Sequence, residues 1–268
     1  MDTASGQTVS AHEITSESAL HGRIWSSLYD GYFSDPARLA PLLAEVEWAC
    51  RERPPDALVD LGGGTGFILD QASRSEAVPR PARLIVVDLS ERQLGEIRNP
   101  RLEGICQSML DVRRSDLALD DRPVLWISRS TLHYAGVFGL KPVLRHVRTQ
   151  MRQGEFFVHQ SLACARPEDA LLLDELMERL GSGKWVPPVA SMETCAREAG
   201  LAVARQTAAP PLRMGADILA ERYHHPADQV VRILEMLAAA YPQSPLIRAD
   251  ASGLAAWAPY WVYTCCAV

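Results

Sequence analysis

The stretch "DLGGGTGFILD", Asp60 to Asp70, decides how the chain is read. It joins the apolar run "ALVDL" (57–61) to a segment that looks helical, with three consecutive glycines in the turn. Glycine there allows left-handed backbone and a close approach to the main chain, and a strand-to-helix turn presents N–H groups to a ligand. A mononucleotide P-loop needs GxxxxGK[ST], but Phe67 and Ile68 follow Gly66 and no lysine is near. A nicotinamide or flavin loop shows GxGxxG, whereas Gly62, Gly64 and Gly66 give GxGxG with Asp60 two residues ahead.

Outward from the loop, four more apolar runs follow: "RLIVVDL" (83–89), "LEGIC" (102–106), "VLWIS" (124–128) and "EFFVHQ" (155–160). They are too continuous for a sheet with one wet face and read as parallel strands buried on both sides. Between them lie helical patterns, clearest at 139–152, where Val143, Val147 and Met151 recur at every fourth position and Gly154 closes the segment. Further helices are expected at 168–180 and from Ser191, a sixth strand from Leu201, and a seventh in "PYWVYTCCAV" (259–268). This alternation implies an α/β doubly wound sheet. The expected organisation is an N-terminal helical cap (1–52), an α/β core (53–208), a helical insertion (209–251) and a return to the core (252–268). Pro36 after Asp35 starts a cap helix over 36–51, and "ADQVVRILEMLAAAY" (227–241) is a helix of the insertion.

Composition narrows the function classes. The 268 residues carry a net charge of −6, which argues against a nucleic-acid-binding surface. No apolar run approaches the roughly 20 residues needed to span a bilayer, and "MDTASGQTVSAHEITSES" at the N-terminus lacks a signal layout. The chain therefore reads as cytoplasmic, with no membrane partner. Of the six cysteines, Cys50, Cys106, Cys164 and Cys195 are scattered, and the neighbours Cys265 and Cys266 point to opposite faces of a strand. No zinc spacing exists and no metal is expected. Cys106 is expected to be a small buried hydrophobe.

The second strand ends at Asp88, 22 residues beyond Gly66, where a carboxylate can accept from both hydroxyls of a ribose. A surface carboxylate is the plainer reading. "VDLGGGTG" (59–66), "VVDLS" (86–90), "RSTLHYAG" (129–136) and "LRHVRTQMRQGEFFVHQ" (144–160) together resemble the class I S-adenosylmethionine (SAM)-dependent methyltransferases, over about 60–210. The resemblance implies a mostly parallel seven-stranded sheet whose last strand is antiparallel. SAM is then the cofactor and S-adenosylhomocysteine the product. Its carboxylate would use N–H groups near Thr65 and Gly66 in the loop of Gly62 and Gly64, and Asp60 would orient that loop or meet the amino group. Asp88, with Leu89 beside it, would take the ribose. Where family members often place an Asp for the adenine, this chain has Ser108 and Met109, with Asp111 three residues on. Arg129, counted with the cofactor-binding residues, and Ser130 lie nearer the strand end, where they would face the substrate, and an arginine there suits an anionic group on it; a salt bridge to a nearby carboxylate is an equal reading.

The remaining candidates carry two readings each. His133, just past the fourth strand, is a general base or a capping and packing histidine. Trp25, Tyr29, Tyr32 and Phe33 in "IWSSLYDGYF" (24–33) are packing residues or an aromatic lid around the sulfonium, with Tyr29 a second candidate base. His159 reads as a core histidine and the pair His224-His225 as loop residues. The leading expectation is in-line methyl transfer to a small-molecule acceptor. One alternative is attack on the aminobutyl chain of SAM with release of methylthioadenosine, for example cyclisation to azetidine-2-carboxylate. Another is a SAM-binding protein without catalysis. A homodimer is compatible with these features.

Overall fold

The computed structural model describes residues 31–268, so Trp25 and Tyr29 lie outside the described residues. The first helix, α1 (Pro36–Glu52), starts where the Asp35 carboxylate accepts from the Ala37 N–H at 2.8 Å. Pro36 occupies the first helical position, where no N–H is needed. β1 (Ala57–Leu61), α2 (Phe67–Ala72), β2 (Arg83–Asp88), α3 (Glu91–Leu94), β3 (Leu102–Cys106) and β4 (Val124–Arg129) follow in order. Next come α4 (Gly136–Gln150), β5 (Phe156–Leu162), α5 (Pro167–Arg179), α6 (Val189–Glu198) and β6 (Leu201–Gly215). α7 (Ala216–Tyr223), α8 (Ala227–Ala240), β7 (Ile247–Asp250) and β8 (Gly253–Ala267) complete the described chain.

The sheet order is β3-β2-β1-β4-β5-β8-β6. β1 to β5 pair in parallel, and β8 runs antiparallel between β5 and β6. The doubly wound, mostly parallel sheet with its antiparallel last strand is therefore the architecture. The short β7 adds one strand beyond seven, paired only to β8. One apolar layer packs α1, α2, α5, α7 and α8 on one face, and a second packs α4 and α6 on the other. β1 and β4 are buried along their whole length because both faces are covered.

Two expectations change. β3 lies at the sheet edge, so its side chains are half-buried or exposed, and Cys106 is exposed rather than buried. β6 does not stop near Ala208. It continues to Gly215 through Pro210 and Pro211, which sit where the pairing register shifts between Ala209 and Leu212. On an outer strand a residue without an N–H is tolerated at such a break. Residues 209–251 therefore hold the far half of β6, α7, α8 and β7. That far half pairs with β8 beyond the reach of β5 and builds a wall above the C-terminal ends of the parallel strands.

Candidate functional site

The C-terminal ends of β1, β2 and β4 meet at the glycine loop. Gly62, Gly64 and Gly66 all have left-handed backbone, at φ 73°, 56° and 77°. What comes too close for a side chain is first of all the protein itself. A Cβ on Gly62 would strike the Thr131 methyl and one on Gly64 the Gln93 amide. One on Gly63 would stand 2.6 Å from an Asp60 carboxylate oxygen, and one on Gly66 2.7 Å from Leu102. The loop N–H groups are also engaged internally. Gly62 and Gly63 donate to the Val87 carbonyl, Gly66 donates to that of Gly63, and Gly64 donates to Asp88 Oδ2 at 2.9 Å. α2 has six residues, so its N-terminal field is small.

Asp60 is the exception in this closed loop. It is completely buried, and neither carboxylate oxygen has a hydrogen-bond partner among the described residues. Burial is the main cause that raises its pKa from 3.8 to about 8; the charge of Asp88 adds to this and that of Arg129 opposes it. Asp88 ends β2 as expected, with Oδ1 accepting from the Ser90 N–H at 2.8 Å. Leu89 beside it is exposed. The Gln107 N–H donates to the Asp88 carbonyl, which brings the β3 end, with Ser108 and Met109, next to Asp88. The Ser108 hydroxyl accepts from the Leu110 N–H, and Met109 is half-buried against the core. Asp111, further along, is exposed.

Arg129 is the last residue of β4 and is buried. Its guanidinium donates to the carbonyls of Phe33 (3.2 Å) and Tyr32 (3.3 Å) and lies over both rings, 5.2 and 5.4 Å from their centres. It thus anchors the segment that leads into α1, while its Nε has no partner among the described residues. Among the described residues the salt bridge considered for it is not formed. Desolvation lowers its pKa. Register places Arg129 opposite Gln160 on β5. Gln160 Nε2 donates to the Tyr32 hydroxyl at 3.3 Å, that hydroxyl donates to the Pro210 carbonyl, and Gln160 Oε1 is buried without a partner among the described residues. Asp60, Arg129 Nε and Gln160 Oε1 thus form a buried, incompletely bonded polar group on one face of the sheet, below Tyr32.

His133 lies in the short turn Leu132–Ala135 after β4, its ring 4.3 Å from that of Tyr134. Both line a cavity completed by Phe33, by Leu212 on the far half of β6, and by Lys184 and Arg222. The structure therefore brings His133 into a cavity together with the N-terminal segment and the insertion. Tyr29, the other candidate base, is outside the described residues. His159 is wholly buried between the rings of Phe157 and Tyr263, and its Nδ1 meets the Ser161 hydroxyl at 2.8 Å. Burial lowers its pKa to about 3, so it is a neutral core residue. His224 and His225 follow the end of α7. Among the described residues no group of three or more His, Cys, Asp or Glu is placed to hold a metal ion, and no helix is long and apolar enough to cross a membrane.

Gln160, Tyr134, Lys184 and Arg222 were not foreseen as site residues. Gln160 carried a signal, as an amide at the end of an otherwise apolar buried run. Lys184 and Arg222 carried none, because only the fold brings them together.

No protein-family model matches the chain, and no curated protein matches it by sequence. Solved structures do match. YcgJ from Bacillus subtilis superposes with a TM-score of 0.59 at 14% identity, covering 84% of this chain and 97% of that one. A SAM-dependent methyltransferase from Thiobacillus denitrificans, in complex with S-adenosylhomocysteine, gives 0.54 at 14% identity and covers 92% and 98%. This chain has the class I methyltransferase fold. The [4+2]-cyclase SpnF also superposes on this chain, at a TM-score of 0.51 and 14% identity, covering 86% of this chain and 80% of that one.

Proposed function

We propose that the protein binds SAM at the Asp60–Asp88 end of the sheet and transfers its methyl group to a small-molecule acceptor in the adjoining cavity. The observation that carries this reading is Asp60, a carboxylate buried against the glycine loop with both oxygens unsatisfied. Leaving such a group without a partner costs roughly 1–3 kcal/mol or more, which a bound cation with N–H donors recovers. The α-ammonium of SAM has that chemistry, and Arg129 Nε, also unsatisfied, suits its carboxylate. Asp88 at the end of β2, with Leu89 beside it, would take the ribose hydroxyls, and Ser108 and Met109, next to Asp88, would meet the adenine. These residues fit the cofactor, although the Gly66 N–H is already taken by the Gly63 carbonyl. SAM supplies an electrophilic methyl group on a sulfonium.

The chain's own part is to align, enclose and accept a proton. Phe33, Leu212 and Tyr134 keep the cavity apolar and restrict water, which preserves a nucleophile's reactivity. His133, on the cavity wall, receives the acceptor's proton in its neutral form. A second reading is favoured by Asp60 itself. A carboxylate with a pKa near 8 can take a proton from the α-ammonium, and a neutral amine can attack its own side chain and release methylthioadenosine.

The test is calorimetric titration with SAM, S-adenosylhomocysteine and NAD, followed by mass spectrometry of SAM incubated with protein alone. Binding of both adenosyl compounds, with SAM left intact, supports methyl transfer. Methylthioadenosine with a cyclised four-carbon product selects the second reading. Binding of NAD alone overturns both.

A further inference from the structure

Only half of the Gln160 amide is in use. Gln160 is buried on β5, opposite Arg129 in register, and its Nε2 donates to the Tyr32 hydroxyl at 3.3 Å. That phenol has a single proton, which goes to the Pro210 carbonyl, so toward Gln160 it can only accept. The amide is thereby fixed with its nitrogen at Tyr32. Its Oε1 is the end left over, buried and without a partner among the described residues. The backbone is held as well, because the Gln160 carbonyl accepts from the Ser130 N–H at 2.8 Å. Ser130 has φ 57°, a conformation that costs a non-glycine residue energy and that clusters at binding sites. Two residues further along β5, Leu162 faces the same side of the sheet as Gln160. Leu162, Ser130 and Tyr260, the partner of Leu162 on β8, line the cavity. Gln160 therefore stands where the cavity meets the Asp60–Arg129 end of the sheet.

A buried amide oxygen can only accept, and leaving it unmet is costly, so the ligand that completes it brings an N–H or O–H. A carboxylate or ketone would set lone pair against lone pair, and a thiol is a weak donor. A hydroxyl has one hydrogen, and the amide, which is no base, would hold the very proton that a methyl acceptor has to give up. An amine has a lone pair for the methyl carbon and a hydrogen to spare. We propose that the methyl acceptor is an amine, and that Gln160 Oε1 accepts a hydrogen bond from its attacking nitrogen and so determines specificity. The nitrogen lone pair forms the new N–CH3 bond while the S–CH3 bond breaks and leaves its electron pair on sulfur. Positive charge passes from sulfur to nitrogen, and the N–H held by Oε1 becomes a charge-assisted donor. That bond is stronger in the transition state than before it, which is the condition for a gain in rate. The surplus proton on nitrogen then goes to His133. This inference rests on the methyl-transfer reading, but the preference of Gln160 for an N–H donor can be measured apart from it.

The experiment is titration of the full chain, with and without saturating S-adenosylhomocysteine, using amines and their methyl isosteres: aniline with toluene, and 5-aminoindole with 5-methylindole. These amines are uncharged at mildly alkaline pH, so attraction of a cation to Asp60 does not enter. At least one amine is expected to bind about tenfold more tightly than its isostere, the value of a hydrogen bond to an otherwise unmet buried acceptor. Gln160→Met loses that ratio, while Gln160→Glu, which still offers an accepting oxygen, retains it. A purely structural role for Gln160 would weaken amine and isostere equally in Gln160→Met, and that result overturns the inference. So does an amine that binds no more tightly than its isostere. The contrast on the unaltered protein needs no variant, so a variant that fails to fold does not obscure it. With SAM in place of S-adenosylhomocysteine, mass spectrometry is expected to show the N-methyl product of the preferred amine, and none from either amine makes the inference wrong. S-adenosylhomocysteine binding without amine preference removes this inference alone. Amine preference without S-adenosylhomocysteine binding removes the cofactor reading and leaves the contact at Gln160 standing.

Discussion

Glu155, at the start of β5, and Asp60, at the end of β1, are both completely buried, yet their surroundings are opposite. Glu155 accepts two bonds from Arg114, both at 2.8 Å, and one each from the N–H groups of Val124 and Arg152, both at 2.9 Å. Burial alone would raise its pKa, but these donors together hold it below the ordinary value. Asp60 has no donor among the described residues, and burial raises it to about 8. At the N-terminal edge of the strands a buried charge is complete and holds the chain together. At the C-terminal edge a buried carboxyl has no donor among the described residues. Burial alone does not distinguish these roles; the count of satisfied lone pairs does.

The sharpest way to break this contrast is Glu155→Gln. It leaves Arg114 buried without its counter-charge and is expected to cost about 3–5 kcal/mol in urea unfolding. Asp60→Asn should cost little or stabilise. Equal losses in the two variants would end the comparison.

Next is the response to pH. Because Asp60 in the folded protein holds its proton up to about pH 8 while the unfolded chain releases it near 3.8, folding takes up a proton between those values. Stability from this group therefore falls as pH rises from about 4 to 8, with a slope of up to about 1.4 kcal/mol per pH unit. The difference in unfolding free energy between the natural protein and Asp60→Asn should follow that slope, and a flat difference would remove Asp60 as the cause. By the same linkage, cofactor binding that pairs an ammonium with ionised Asp60 should release protons at pH 7. The effect is read from the dependence of calorimetric heat on buffer ionisation.

Affinity gives a smaller effect. Asp60→Asn is expected to weaken S-adenosylhomocysteine about 10–100-fold, the value of a hydrogen bond to a charged group, without lowering the melting temperature. Gly62→Ala should lower stability by about 1–3 kcal/mol, through the positive φ and the encounter with Thr131. Thr131→Ser is then expected to restore part of that loss, because it removes the methyl that the new Cβ meets.

The parallel strands and the glycine loop were legible because they depend on neighbours in sequence: apolar runs, a turn and an acid at a fixed distance. Asp60 was visible as a position, but not as an unsatisfied one. The glycines suggested room for a ligand, whereas the groups nearest to them are Thr131, Asp60, Gln93 and Leu102. Arg129 was read toward an anion because its actual partners, the carbonyls of Tyr32 and Phe33, lie far back in the chain. Pro210 and Pro211 concealed the far half of β6, since only its outer position makes two prolines tolerable. Cys106 was misjudged because edge or centre is a property of strand order, which five residues cannot carry.

β8, the strand between β5 and β6, has a consequence for how the protein is made. Its pairing with β5 closes a loop of roughly a hundred residues, and β6 waits for it as well. Until the stretch from Gly253 onward has left the ribosome, neither the border of β5 nor the fifteen-residue β6 can reach its partner strand. Such borders invite pairing between molecules. Yield on expression should therefore depend on how quickly β8 is translated and docked, more than on the equilibrium stability of the finished fold.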